Sequence, residues 1–131
     1  MSKLLIGWAE ESLVPDKKVS LAGQFYERIS DYVESDISAT AMAVEADGDA
    51  MIMVSVDISS MALSLVEYAR KKFAALTDEV DPRKIIVCAT HSHTSLKVSA
   101  EVSVSGEKLG RSPTVKILEE FCQRVKCIHQ R

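Results

Sequence analysis

Residues 50–90 limit what this chain can fold into more than any other stretch. They open on a nearly continuous apolar run, Met51, Ile52, Met53, Val54 and Val56, the pattern of a strand covered on both faces. A helical stripe follows at Ala62, Leu65, Val66, Ala69, Phe73 and Leu76, the i, i+3, i+4, i+7 spacing of one buried face. The helix is expected to open within residues 57–60, with Ser59 or Ser60 as its cap. Residues 78–83, which contain Pro82, then turn the chain into a second apolar run over 84–90. Strand, helix and strand with a connection of this length form the pattern of a right-handed parallel crossover.

The flanking segments extend that unit into a sheet. Residues 3–10 read as a short strand, apolar at Leu4, Leu5, Ile6 and Trp8, and residues 11–35 read mostly as loop. Residues 36–45 alternate, with Ile37, Ala39, Ala41 and Ala43 on one side before the pattern slips toward Val44. Asp47-Gly48-Asp49 then stands between two apolar runs, a strong hairpin signal. Downstream, Val98, Ala100, Val102 and Val104 alternate as one more strand, and Gly106 and Gly110 mark a loop. Ser112-Pro113 starts a closing helix whose stripe is Ile117, Leu118, Phe121, Val125 and Ile128. The expected fold class is α/β: a mixed sheet with a hairpin and a strand-helix-strand parallel crossover, helices packed on the sheet. Residues 1–131 form a single domain in this reading.

Bulk properties narrow the partners. A chain of 131 residues with 47% hydrophobic content can bury an ordinary core. A formal net charge of −3 argues against a dedicated nucleic-acid or anionic-membrane binder, and Arg124, Lys126 and Arg131 read as a solvated helix end. The apolar run near Met1 is too short for a secretory signal, and no stretch reaches the ~20 apolar residues of a membrane span. Cys122 and Cys127 stand about 140° apart around a helix axis and should not bridge each other. With Cys88 they are expected to be three reduced thiols in a cytoplasmic protein.

The chemistry concentrates where the second strand ends, in Cys88-Ala89-Thr90-His91-Ser92-His93-Thr94-Ser95. Two imidazoles spaced i, i+2 on an extended backbone share one side, whereas on a helix they would stand roughly 200° apart. A shared space at a strand end suits a metal, a proton transfer or both; the alternative is a pair of hydrogen-bonded loop residues. Cys88 should point to the opposite face, which disfavours a cysteine–histidine nucleophile. His129 sits near the end of the last helix, where the helix dipole favours it. Ligands of open α/β sheets bind beyond the carboxyl ends of strands, and Asp57 and His91 both fall at such ends. Asp57 could therefore approach the histidine pair, or serve as an anion at the helix N-terminus.

The order of these pieces resembles the N-terminal part of the neutral/alkaline non-lysosomal ceramidase family. Leu21-Ala22-Gly23-Gln24 comes first, then the strand ending Met53-Val54-Ser55-Val56-Asp57, the amphipathic helix, Pro82, and the run from Ile85 to His93. The family's hallmark is a strand ending in Ser-(Ala/Gly)-Thr-His-Thr-His-Ser-Gly-Pro, and the resemblance spans residues 4–95. It implies a zinc-dependent hydrolase of the N-acyl bond of sphingolipids. It implies His91 as a zinc ligand and His93 as a polarising or proton-handling catalytic residue beside the metal-bound water and the substrate amide. Thr94-Ser95-Leu96-Lys97 replaces the family's Ser-Gly-Pro, which implies a differently shaped loop. The family's remaining ligands, a second histidine, a glutamate and a tyrosine, lie far downstream, and no residue of this chain matches them.

The leading expectation is therefore a ceramidase-like zinc amide hydrolase module, a fragment or a shortened relative, that carries part of the metal site and is inactive as an isolated chain. Its substrate would be a lipid amide or another small amide. The alternative is a non-enzymatic, self-associating α/β domain that has lost the chemistry. A third reading has two chains completing one metal site, each giving its His-x-His.

Overall fold

The computed structural model describes residues 3–98. Strand β1 (Leu4–Ser12) runs antiparallel to β2 (Ser38–Ala46), and β2 runs antiparallel to β3 (Asp49–Val56). Helix α1 (Leu63–Ala74) and a short 3-10 turn (Pro82–Lys84) then carry the chain to β4 (Ile85–Ala89), which lies parallel to β3. The sheet order is β1-β2-β3-β4, so the expected mixed α/β architecture is the one observed.

The hairpin is fixed by two residues. Ala46 opposes Asp49, which leaves Asp47 and Gly48 as the loop, at φ of 53° and 77°. Positive φ at both central positions is what a type I′ turn requires, and Asp-Gly supplies it at low steric cost. The register set there runs the length of β2. It places Ala39 opposite Val56, Ala41 opposite Val54 and Ala43 opposite Ile52, a small residue against a branched one on every inward rung. The alanines leave room for Leu13, Ile58, Phe73 and Val80, which complete the core with Ile85. Leu65, Ala69 and Phe73 are the buried face of α1, as the stripe predicts. Arg70 ties that helix to the sheet by donating from Nε and Nη2 to the Ile85 carbonyl at 3.2 and 2.8 Å.

Two expectations change. β3 reads as a strand covered on both faces, yet among the described residues only one face is covered. Trp8, Met42, Met53 and Ile86 lie in register across the other face, and Trp8, Met53 and Ile86 are 64%, 41% and 46% exposed. The unbroken apolar run reflects an apolar outer face, which alternation alone cannot distinguish from a second covering layer. The helix also opens later than residues 57–60. Its N-cap is Ala62 with no side-chain cap, because the backbone of Asp57 and Ile58 is held elsewhere. Asp57 N–H donates to Ser38 O, and Ile58 O accepts from Ser92 N–H.

The remaining turn is conventional. Asp81 Oδ1 accepts from Arg83 N–H at 2.9 Å, and Pro82 occupies the first position of the 3-10 turn. The bond from the Arg83 side chain, seconded by its backbone N–H, lowers the Asp81 carboxyl to about 2. The strand expected at Ala100, Val102 and Val104, the closing helix, Cys122, Cys127 and His129 lie outside the described residues. No helix among the described residues is long and apolar enough to cross a membrane.

Two outcomes check this fold. Ile52→Ala should cost about 2–5 kcal/mol in urea denaturation, while Met53→Ala, one residue along on the open face, should cost about 1 kcal/mol or less. Carboxyl NMR should place the Asp81 midpoint near 2, moving up toward the ordinary carboxylate range in Arg83→Met. A carboxyl lowered by folding stabilises the native state above its unfolded pKa of about 3.9. That contribution is lost as pH falls from there toward about 2.

Candidate functional site

Parallel pairing brings the carboxyl ends of β3 and β4 side by side, with Val56 opposite Ala89. Ligands of open α/β sheets gather at such an edge. Asp57 holds it together. Its Oδ2 accepts from Ser38 N–H at 2.9 Å and from Ser38 Oγ at 3.4 Å, and its Oδ1 accepts from Thr90 Oγ1 at 3.0 Å. The expected role as a helix N-terminal anion is not the one observed, since the helix begins only at Leu63. The carboxylate instead links the start of β2 to the loop that carries the histidines.

His91 and His93 do meet. Their Nε2 atoms are 3.1 Å apart, and the rings stand edge-on at 70° with centroids separated by 4.7 Å. Strand alternation is not the cause, because β4 ends at Ala89 and both residues lie in the following loop. His91 adopts φ of 65°, a left-handed conformation that costs a non-glycine residue roughly 1–2 kcal/mol. Neighbouring bonds hold it there: Thr90 N–H donates to Val56 O at 2.9 Å and Ser92 N–H to Ile58 O at 3.2 Å. Strain maintained by its surroundings is characteristic of functional positions.

The ring of His91 is oriented from behind. Its Nδ1 lies 2.5 Å from the Ser59 carbonyl oxygen, which can only accept, so the proton of a neutral ring sits on Nδ1. Nε2 is then a bare lone pair aimed at His93 Nε2. Without an ion, His93 must supply the N–H of that contact. The 3.1 Å separation is the length of an N–H···N hydrogen bond between the two rings. The backbone carbonyl behind His91 is the usual outer partner of a ligating imidazole.

Both rings are exposed, and two nitrogens are short of the three protein ligands that a catalytic zinc site needs. Among the described residues, no group of three or more His, Cys, Asp or Glu side chains is placed to hold a metal. Cys88 is on the open face, with its thiol directed at Val54 O, as its alternation predicts. A cavity of about 530 Å³ shares Thr94, Ser95 and Leu96 with the histidine loop, but neither histidine lines it. Its wall also includes Leu21 and Ile29 and the ion pair of Lys18 with Asp31 at 2.5 Å.

Sequence reasoning missed two contributors. The Ser59 carbonyl, read only as part of a capping residue, fixes the His91 ring. Arg28, in a segment read as loop, donates from Nη2 to His93 O at 2.5 Å and to Ala22 O at 2.9 Å. A backbone carbonyl leaves no mark in sequence, and a single arginine in a loop leaves little. Comparison of the chain with protein-family models, with curated proteins and with solved structures finds no match.

If the Asp57 carboxylate ties this edge, Asp57→Ala should lower stability by about 1–3 kcal/mol in urea denaturation, as for loss of bonds to a charged acceptor. Thr90→Val, which removes only the hydroxyl donor, should cost less. Equal stability of Asp57→Ala and the native protein would contradict this role.

Proposed function

We propose that this chain carries the first part of a zinc-dependent amide hydrolase site of the ceramidase kind, with His91 as a metal ligand and His93 as the proton-handling neighbour. The observation that carries the reading is the convergence of the two Nε2 atoms, with the far nitrogen of His91 committed to Ser59 O. That commitment fixes the His91 ring with its Nε2 lone pair facing His93, so an ion could take that lone pair without turning the His91 ring once His93 gives way. His93 stands where it can pass a proton to or from a group bound next to His91. Zinc, when bound, would polarise an amide carbonyl and lower the pKa of its water to about 7. The substrate class is an N-acyl amide, of a sphingolipid or of another small molecule.

This chain alone is expected to hold zinc weakly and to leave amides intact, since the two imidazoles that meet among the described residues fall short of a catalytic ligand set. A second reading is favoured by the open apolar face of Trp8, Met53 and Ile86: self-association of an α/β domain without chemistry. Sedimentation over a range of concentrations separates the two, because only self-association predicts a mass that rises with concentration.

Zinc titration followed by histidine-ring NMR and calorimetry tests the main reading. The His91 and His93 ring signals should move together and saturate only at zinc well above the protein concentration, and His91→Ala should abolish the response. Ring signals indifferent to zinc would end the metal assignment. Tight stoichiometric binding by the monomer would contradict the incomplete site.

A further inference from the structure

The histidine loop is gripped by residues 20–30, and we infer that Gly23 and Arg28 are positioning residues that set the aim of the His93 ring. This rests on the reading of His93 as a working member of the pair. The grip begins as a short antiparallel contact: Leu21 bridges Leu96, Ala22 N–H donates to Ser95 O at 2.9 Å, and Lys97 N–H donates to Ser20 O at 2.8 Å. Ser95 is almost fully buried at this contact, so the backbone that follows His93 is anchored.

Gly23 comes next in the chain and lies directly against His93. Its φ is 90°, a conformation L side chains rarely adopt, and a Cβ built there would fall 2.7 Å from His93 Cα and closer still to Cβ and Cγ. Glycine is therefore required twice over, by backbone conformation and by the space the histidine occupies. Arg28 closes the other side. Its Nη2 donates to the carbonyls of both Ala22 and His93, which staples the residue before Gly23 to the histidine itself. Arg28 is in turn placed by Leu21 N–H donating to Arg28 O at 2.7 Å and by the bridge between Ser20 and Ile29.

The two rings meet each other but are held from behind by separate groups. The Ser59 carbonyl holds the His91 ring directly, whereas Gly23 packs against His93 from Cα to Cγ and Arg28 holds the His93 carbonyl. Enlarging position 23 or removing the Arg28 donors should turn the His93 ring away and leave the His91 ring on Ser59.

Histidine-ring nitrogen NMR on the full chain, well above the ordinary histidine titration range, reads this directly. In the native protein His91 should show a protonated Nδ1 and His93 a protonated Nε2. In Gly23→Ala and Arg28→Met the His91 pattern should persist, while His93 drifts to a mixture of tautomers. Zinc affinity should fall by less than the roughly ten- to hundredfold seen when the support of a ligand itself is disturbed, because His93 only neighbours the ion in that reading. Arg28→Lys, which keeps a cationic donor, should restore part of the native His93 signal. His93 signals unchanged in both Gly23→Ala and Arg28→Met would overturn the inference whatever zinc does. A native protein indifferent to zinc, whose variants still shift the His93 signals, would remove the metal reading and leave the positioning role intact. If Gly23→Ala does not fold, Arg28→Met decides alone: a His93 signal that shifts and is partly restored by Arg28→Lys supports the inference, and an unchanged one overturns it.

Discussion

Everything at the candidate site depends on the parallel pairing of β3 with β4. That pairing puts Val56 beside Ala89, so the two chain segments leaving the sheet, 57–62 and 90–95, emerge next to each other at one edge. An antiparallel partner would have sent them to opposite ends. Once adjacent, they are tied by hydrogen bonds in place of continuing strand or helix: the backbone of Thr90 with Val56 and of Ser92 with Ile58, and the His91 ring with the Ser59 carbonyl. The left-handed turn at His91 is affordable because these bonds already fix the residues on either side of it.

That exchange explains an otherwise wasteful helix start. Ser59 and Ser60 are good capping residues, yet α1 begins at Leu63 on an alanine that offers no side-chain cap. The carbonyls of Ile58 and Ser59 are occupied by the histidine loop, so the segment before the helix serves the site and not the helix. A lost cap typically costs a helix about 1 kcal/mol. The buried stripe of Leu65, Ala69 and Phe73, together with the Arg70 bonds to Ile85 O, keeps the helix on the sheet without it.

The parts legible in the sequence are those governed by local periodicity. Asp47-Gly48 specified its turn through the φ it permits, the alternation of Ala39, Ala41 and Ala43 specified the inward face of β2, and the stripe through Leu65 and Phe73 specified the buried side of the helix. The meeting of His91 and His93 was also legible, but through the wrong geometry: a left-handed loop turn brings the rings together, and i, i+2 spacing on a strand does not. What was hidden depends on contacts distant in sequence. Nothing near Asp57 shows that its carboxylate is taken by Ser38 and Thr90, and nothing near Arg28 shows that it reaches the His93 carbonyl. Whether an apolar run such as Met51 to Val56 is covered once or twice is likewise a property of neighbours, not of the run.

A crystal structure of the full chain soaked in zinc, with anomalous data at the zinc edge, would decide whether His91 takes an ion. The expected result is an anomalous peak at bonding distance from His91 Nε2, with Nδ1 still donating to the Ser59 carbonyl and the His93 ring turned toward the same point. Histidine rings facing apart, or a peak elsewhere with none beside His91, would contradict it.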